Sequence, residues 1–298
     1  MTLRAVFFAA PSIFSANALR SWLRLGHEVA GLVHAGRRNS NEPALEWLAP
    51  RWSVGAILDR NSIPSRSVSG PGDLKRDLPS GDLVISVGFP YRIPMAWVRT
   101  LPRGGVNLHP ALLPAFRGPK PIASLCRTGA AERFGGVSLH LLEEEFDAGP
   151  LLAQEAVPYR GDFDAWMLEL ARAHGRLMDP LAGWLAGALE PAPQDETAAS
   201  YDRTGLPRLT PKLKAEELAR ICATLGSRRK LKLELDGRRI GIRGYRGKSP
   251  RTGAPARIRP LTVSFDAADA RCTFSRWLPG TRRWRDARWL LRVALARA

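Results

Sequence analysis

The chain runs to 298 residues, 45% hydrophobic and 24% charged, enough to bury a good core and long enough that a second domain is expected. Its net charge of +17 lies wholly in the last third: residues 200–298 hold 25 Lys and Arg against 8 Asp and Glu, while residues 1–199 hold 20 of each. Three cysteines cannot all pair within one chain, and no apolar run nears the roughly 20 residues of a membrane span, which argues against a disulfide scaffold and a helical membrane protein and for a reducing, cytoplasmic setting.

In chain order, Leu3–Phe8 reads as a buried strand; the apolar start breaks at Pro11 and is too short for a secretion signal. Helix 15–26 follows, then strands Glu28–Val33, Leu83–Val87, Gly105–His109 and Gly136–Leu142, interleaved with helices 119–129 and 163–189. The last helix carries Trp166, Leu168, Leu170, Leu177 and Leu181 as an apolar stripe. This alternation predicts an α/β unit over 1–190, a parallel-rich sheet flanked by helices. No Gly-x-Gly-x-x-Gly loop follows the first strand, which disfavours a dinucleotide cofactor. Pro191-Ala192-Pro193 opens a linker, 191–205, before a second unit, 206–298. There Lys214–Thr224 reads as a helix, and Lys230–Leu235, Arg238–Tyr245 and Leu261–Phe265 as strands, with turns at Asp236-Gly237 and Gly244–Gly247. A small, basic, β-rich domain is the kind of surface that suits a polyanion. In the tail, Arg282, Arg283, Trp284 and Arg285 either stack on and neutralise nucleic acid or belong to a helix with one apolar and one solvated face.

The residues that carry chemistry are Asn107 and His109, within Gly105-Val-Asn-Leu-His-Pro-Ala-Leu-Leu-Pro-Ala-Phe-Arg-Gly118, and Asp147, within Phe146-Asp-Ala-Gly149. On an extended segment residues two apart share a side, so an amide and an imidazole face one cleft. Pro110 ends the strand there, at a carboxyl end where α/β proteins place ligands. Asn107 supplies an amide donor for a developing oxyanion, and His109 a group that donates or shuttles a proton, with its charged form favoured by Asp147. Cys126, Cys222 and Cys272 are far apart and no two histidines stand at ligand spacing, so no metal is expected. His27, His34, His140 and His174 read as structural or surface residues.

These residues resemble the folate-dependent formyltransferase family, whose signature reads Asn-x-His-x-Ser-Leu-Leu-Pro, then Gly, then Asp-x-Gly. Asn107, His109, Leu112-Leu113-Pro114, Gly118, Asp147 and Gly149 match it; Ala111 stands in place of the Ser. The resemblance implies a Rossmann-like catalytic domain, formyl transfer from 10-formyltetrahydrofolate to an amine, and catalysis by Asn107, His109 and Asp147 together. It also implies a pterin slot formed by Gly88, Phe89, Pro90, Tyr91 and Ile93, with Leu142 and Phe146. Within the family, the linker from Gln194 to Tyr201 and the entry to the basic domain resemble the methionyl-tRNA formyltransferases, whose second domain is a small basic barrel. That makes tRNA a possible partner, with Arg37, Arg38, Arg117, Arg282, Arg283 and Arg285 on the acceptor side. Three features depart from that branch: Phe8-Ala9-Ala10-Pro11-Ser12 after the first strand, only Arg37-Arg38 in the loop near 34–42, and the Arg/Trp tail. An amino-sugar or hydroxyornithine-type acceptor, hydrolysis of the donor by water, and an idle RNA-binding relative stay open.

Overall fold

Val6, Phe7 and Phe8 are fully buried on both faces of β1 (Arg4–Ala9), which makes it a central strand. The computed structural model describes residues 1–35, 42–75, 77–202, 208–225, 231–276 and 281–296, the side chains of 281–285 excepted. After β1 come α1 (Ile13–Arg24), β2 (Glu28–Ala35), α2 (Glu42–Leu48), α3 (Val54–Arg60), β3 (Ser65–Val68), β4 (Leu83–Val87), α4 (Met95–Val98) and β5 (Gly105–His109). Then follow α5 (Pro121–Thr128), α6 (Ala131–Phe134), β6 (Gly136–Leu141), β7 (Leu151–Ala156), α7 (Phe163–Arg176) and α8 (Met178–Leu185). The strands form one sheet in the order β3-β2-β1-β4-β5-β6-β7, parallel from β3 to β5 and antiparallel across β6 and β7. This is the expected Rossmann-like, parallel-rich α/β unit. Ser12 caps α1 through a reciprocal box with Ser15, satisfying two donors at the helix start.

One face of this sheet packs Phe7, Ile85, Val106 and Leu108 against α1 and α7; the other packs Val6, Phe8 and Val84 against Ile93, Met95 and Val98. The single helix expected over 163–189 is instead two, parted at Leu177, because Pro180 has no N–H to give the carbonyl four residues back. β3 and β7 were not legible as strands: β3 has four residues, and β7 is a half-exposed edge.

The second unit contains α9 (Ala215–Leu225) and a five-stranded antiparallel sheet, β8 (Leu231–Leu235), β9 (Arg238–Ser249), β10 (Arg257–Ile258), β11 (Thr262–Asp266) and β12 (Arg271–Arg276), ordered β10-β11-β12-β9-β8. Asp236 and Gly237 both have positive φ, as a two-residue hairpin turn demands. The turn expected at Gly244–Gly247 is not a turn: β9 runs through it, and its pairing with β12 slips twice, leaving Arg243 and Arg246 as bulge residues that coil the strand.

The tail forms α10 (Thr281–Leu295), which leaves the second sheet and returns to the first unit. Trp289 and Val293 are buried among Ile13, Leu45, Trp52, Leu168 and Ala171. Arg292 pairs with Asp162, the N-cap of α7, at 2.5 Å, and Arg51 donates to the last carbonyls of α10, Ala294 at 3.0 Å and Ala296 at 2.8 Å. The tail is thus a helix with an apolar face, as one of its two readings expected; the side chains of Arg282, Arg283, Trp284 and Arg285 lie outside the described residues. The units also meet where α9 lies on α5: Arg220 donates to the Arg127 carbonyl at 3.2 Å, and Arg127 pairs with Asp202.

Candidate functional site

Asn107 and His109 lie on β5 with their side chains on one face of the sheet, the face that carries Ser86 of β4 and Phe8 of β1. Directly across β5 and β6, His140 stands opposite Asn107 and Ser138 opposite His109. Opposed residues in an antiparallel pair share a face, so this corner of the sheet carries a row of polar groups, buried apart from the half-buried Asn107. The loop from β6 to β7 folds back over that row and delivers Asp147, held in the left-handed region at φ 59°.

Three side chains converge on one carboxylate oxygen of Asp147. Asp147 Oδ1 lies 3.4 Å from His109 Nδ1, 3.6 Å from His140 Nε2, and 3.3 Å from Asn107 Nδ2, which donates to it. Asp147 Oδ2 accepts from the Gly118 amide at 2.8 Å. Gly118 has φ 114°, and a Cβ there would meet the Asp202 carbonyl at 2.9 Å, so only glycine can present its amide here. Burial alone would raise the Asp147 carboxyl, but the charge and hydrogen bond of His109 outweigh it and hold the group well below the usual carboxylate range.

His109 is buried and fixed at its other end, where Nε2 donates to the Phe116 carbonyl at 2.9 Å. Both ring nitrogens thus face acceptors, an arrangement that the doubly protonated ring satisfies. His140 Nδ1 donates to the Leu141 carbonyl at 2.8 Å, which leaves Nε2 to accept from Asn107 Nδ2 at 3.0 Å. The loop is braced from behind by Gln194, whose amide donates to the carbonyls of Asp147 at 2.8 Å and Gly149 at 2.7 Å. Gln194 in turn accepts from Arg117 Nη2 at 2.8 Å, and Arg117 also pairs with Glu196 at 2.7 Å.

Residues 74–168 match the sequence profile of the family described as Formyl transferase. The methionyl-tRNA formyltransferase of Levilactobacillus brevis is 29% identical over 208 residues, 68% of this chain and 65% of the relative, so the match spans just under two thirds of that protein. Residues 74–168 thus form a formyl transferase domain. The match is a divergent one, and solved structures share the fold at low identity. HypX from Aquifex aeolicus in complex with tetrahydrofolic acid superposes with a TM-score of 0.60 at 17% identity, over 92% of this chain and 44% of that one. An N-formyltransferase from Helicobacter canadensis, in complex with folinic acid and dTDP-3-aminofucose, has a TM-score of 0.60 at 14% identity, over 91% of this chain and 98% of that one.

The other expected site residues fall into three groups. Gly88 follows β4 at φ 61°, and Phe89, Tyr91, Ile93 and Leu142 all pack on the sheet face that carries Asn107. Phe89 sits edge-on to Phe8 at 5.2 Å and to Tyr91 at 5.7 Å. Pro90 belongs to the same loop, and Phe146, 45% exposed, lies under the Arg92 guanidinium at 4.7 Å. Arg117, expected on the acceptor side, is instead buried against Gln194 and Glu196, which take four of its five N–H groups. Arg37 and Arg38 lie outside the described residues, and Arg282, Arg283 and Arg285 fall in α10 with side chains likewise outside them.

His140 was read from sequence as structural, yet it joins the site. The signal that finds it is the β5–β6 register, which no local pattern displays. His174 does fit the structural reading: it is buried, stacks on Phe14 at 4.6 Å, and donates from Nδ1 to Leu170. Among the described residues no group of His, Cys, Asp and Glu could hold a metal ion.

Proposed function

We propose that this protein moves a formyl group from 10-formyltetrahydrofolate to an amine, with Asn107, His109 and Asp147 as the catalytic residues. The observation that carries this reading is the meeting of an amide, an imidazole and a carboxylate at the carboxyl end of β5, beside an apolar face. Phe89, Tyr91, Ile93, Leu142 and Phe146 suit a flat heterocycle, with Gly88 and Pro90 shaping the loop. The donor, when bound, supplies the formyl carbon on a nitrogen able to leave.

Attack by an amine drives charge onto the formyl oxygen, and donors aimed at that oxygen stabilise it. His109 is anchored through Nε2, so Nδ1 is the edge it presents, beside Asp147 at 3.4 Å. Asn107 Nδ2 is held to Asp147 by a long contact of 3.3 Å, the one a better-placed acceptor would replace. A carboxylate held so far below its usual range is a weak base, so Asp147 contributes orientation and charge rather than taking the amine's proton.

As acceptor we favour methionyl-tRNA. Arg238, Arg246, Lys248, Arg257 and Arg259 are exposed on the second sheet, which gives it the charge of a polyanion-binding surface. We take 1–190 as the catalytic domain, 191–205 as the linker and the remainder as the acceptor-binding part; Cys126, Cys222 and Cys272, none of them in a disulfide, suit a cytoplasmic enzyme. The alternatives are an amino sugar, a hydroxyornithine-type amine, or water. A formyl-transfer assay with the purified chain, comparing methionyl-tRNA, nucleotide-linked amino sugars, small amines and buffer alone, tests both levels. Formylated methionyl-tRNA is expected; transfer to a small amine only would move the acceptor assignment, and turnover with none of them would overturn the reading.

A further inference from the structure

On the side of the first unit where α1 packs on α7, a cavity of about 340 Å³ is walled by Arg20 and Arg24 from α1 and by Arg172 and Arg176 from α7. Its inner surface is Ser21 and Gly175, and the packing there is close: a Cβ on Gly175 would stand 2.8 Å from Ser21 Oγ. Ser21 is 7% exposed, and among the described residues its hydroxyl has no hydrogen-bond partner.

The charges around this cavity do not cancel. Arg176 pairs with Glu155 and, at 4.0 Å, with Glu169; Arg172 pairs with Glu169; Arg24 is only 3.9 Å from the exposed Asp179. Arg20 donates to the Asn17 side chain at 3.0 Å, and no carboxylate reaches it among the described residues. Burial, then the charges of Arg51 and Arg24, push its guanidinium below the ordinary arginine range. Four guanidinium groups thus line the cavity, and Arg20 stands there with no carboxylate partner among the described residues, in a unit that is neutral overall.

We propose that this cavity binds a phosphoryl dianion, free or carried on a small molecule. Arg20 brings a guanidinium that no carboxylate neutralises among the described residues, and guanidinium forks from two helices offer more N–H groups than one carboxylate can accept, whereas a phosphoryl group presents three oxygens. The Ser21 hydroxyl supplies a neutral donor at the base. The volume admits a phosphoryl group with a sugar-sized attachment and no folded partner. The site involves none of the residues assigned to formyl transfer, so it stands or falls independently of that assignment.

The test is titration of the full chain with inorganic phosphate and with adenosine 5′-monophosphate, at ionic strength held constant with chloride, read by calorimetry. Saturable binding with one site is expected. Arg20→Gln and Arg24→Gln should each weaken it roughly tenfold or more, the scale of a lost charge-assisted hydrogen bond. Ser21→Ala should weaken it by a smaller factor. Arg238→Gln with Arg246→Gln, on the second sheet, should leave it unchanged. Removing Arg20 relieves repulsion, so that variant should fold, which its circular dichroism and melting temperature check. Tighter binding of the nucleotide than of phosphate identifies a carried phosphoryl group, and equal binding identifies free phosphate. No saturable binding above chloride, binding indifferent to Arg20→Gln and Arg24→Gln, or binding lost with the second-sheet pair would each overturn the proposal. So would capture of single-stranded RNA with neither small anion bound.

Discussion

Asp147 is where burial, charge and backbone conformation meet: its two oxygens take contacts from Asn107, His109, His140 and the Gly118 amide, and its φ lies in a region few non-glycine residues adopt. Replacing Asn107 or His109 with Ala should lower turnover about a hundredfold or more, the usual scale for an oxyanion donor or proton-transfer group, with little change in thermal midpoint. Near-normal turnover in both variants would falsify the catalytic assignment. His140→Ala should cost less, because its Nε2 supports Asn107 from behind. The buried His174 makes a separate prediction. Burial drops its pKa to about 4, against an unfolded value near 6.5, so the folded state refuses a proton that the unfolded chain accepts. Its contribution is therefore complete above pH 6.5 and is lost as pH falls toward 4, on the order of 3 kcal/mol. Urea unfolding at pH 7 and pH 4.5 should show that loss in the wild type and a smaller one in His174→Phe, which keeps the ring on Phe14. Equal losses would show that His174 is not the responsible group.

At the level of elements, the site depends on pieces far apart in the chain. Gln194 and Arg117 tie the linker to the loop that carries Asp147, so Gln194→Ala should lower kcat roughly tenfold or more, since small displacements of catalytic groups are costly. Arg117→Met should do likewise, and activity unaltered in both would sink this bracing role. Trp289→Ala should release α10: its amides should exchange faster with deuterium while those of the second sheet keep their protection. What the sequence made legible follows the same division. Asn107 and His109 were readable because the pattern is local, two residues apart just before a proline. β4 and β5 have the expected bounds because each is a short apolar run on a buried strand. His140 and the burial of Arg117 were not readable, since each depends on pairing with a segment more than 30 residues away. The apolar face of α10 was visible as one of two readings, but its partner surface on α2 and α7 was not, because amphipathicity names a face and not its neighbour.

For the whole molecule, charge and connectivity decide what can be tested. If the acceptor is tRNA, binding should weaken steeply with salt, each phosphate contact adding about 0.7 to 0.9 to the slope of log affinity against log salt. Neutralising Arg238, Arg246 and Lys248 together should reduce that slope while leaving donor binding intact, and an unchanged slope would place the RNA elsewhere. Such substitutions are a cleaner probe than deleting residues 200–298. That deletion would also remove the Ser200 hydroxyl, which accepts from the Phe116 amide at 2.9 Å, the Asp202 partner of Arg127, and the cover that Trp289 gives Trp52. The return of α10 to the first unit has a consequence for choosing an acceptor. With the two units fastened at the linker, at α5 and α9, and again through α10, the span from the basic sheet to Asp147 acts as a set calliper. An acceptor is then chosen by reach as much as by chemistry: one that grips the sheet must carry its amine across a fixed gap, and an amine of the right kind on too short an arm goes unformylated.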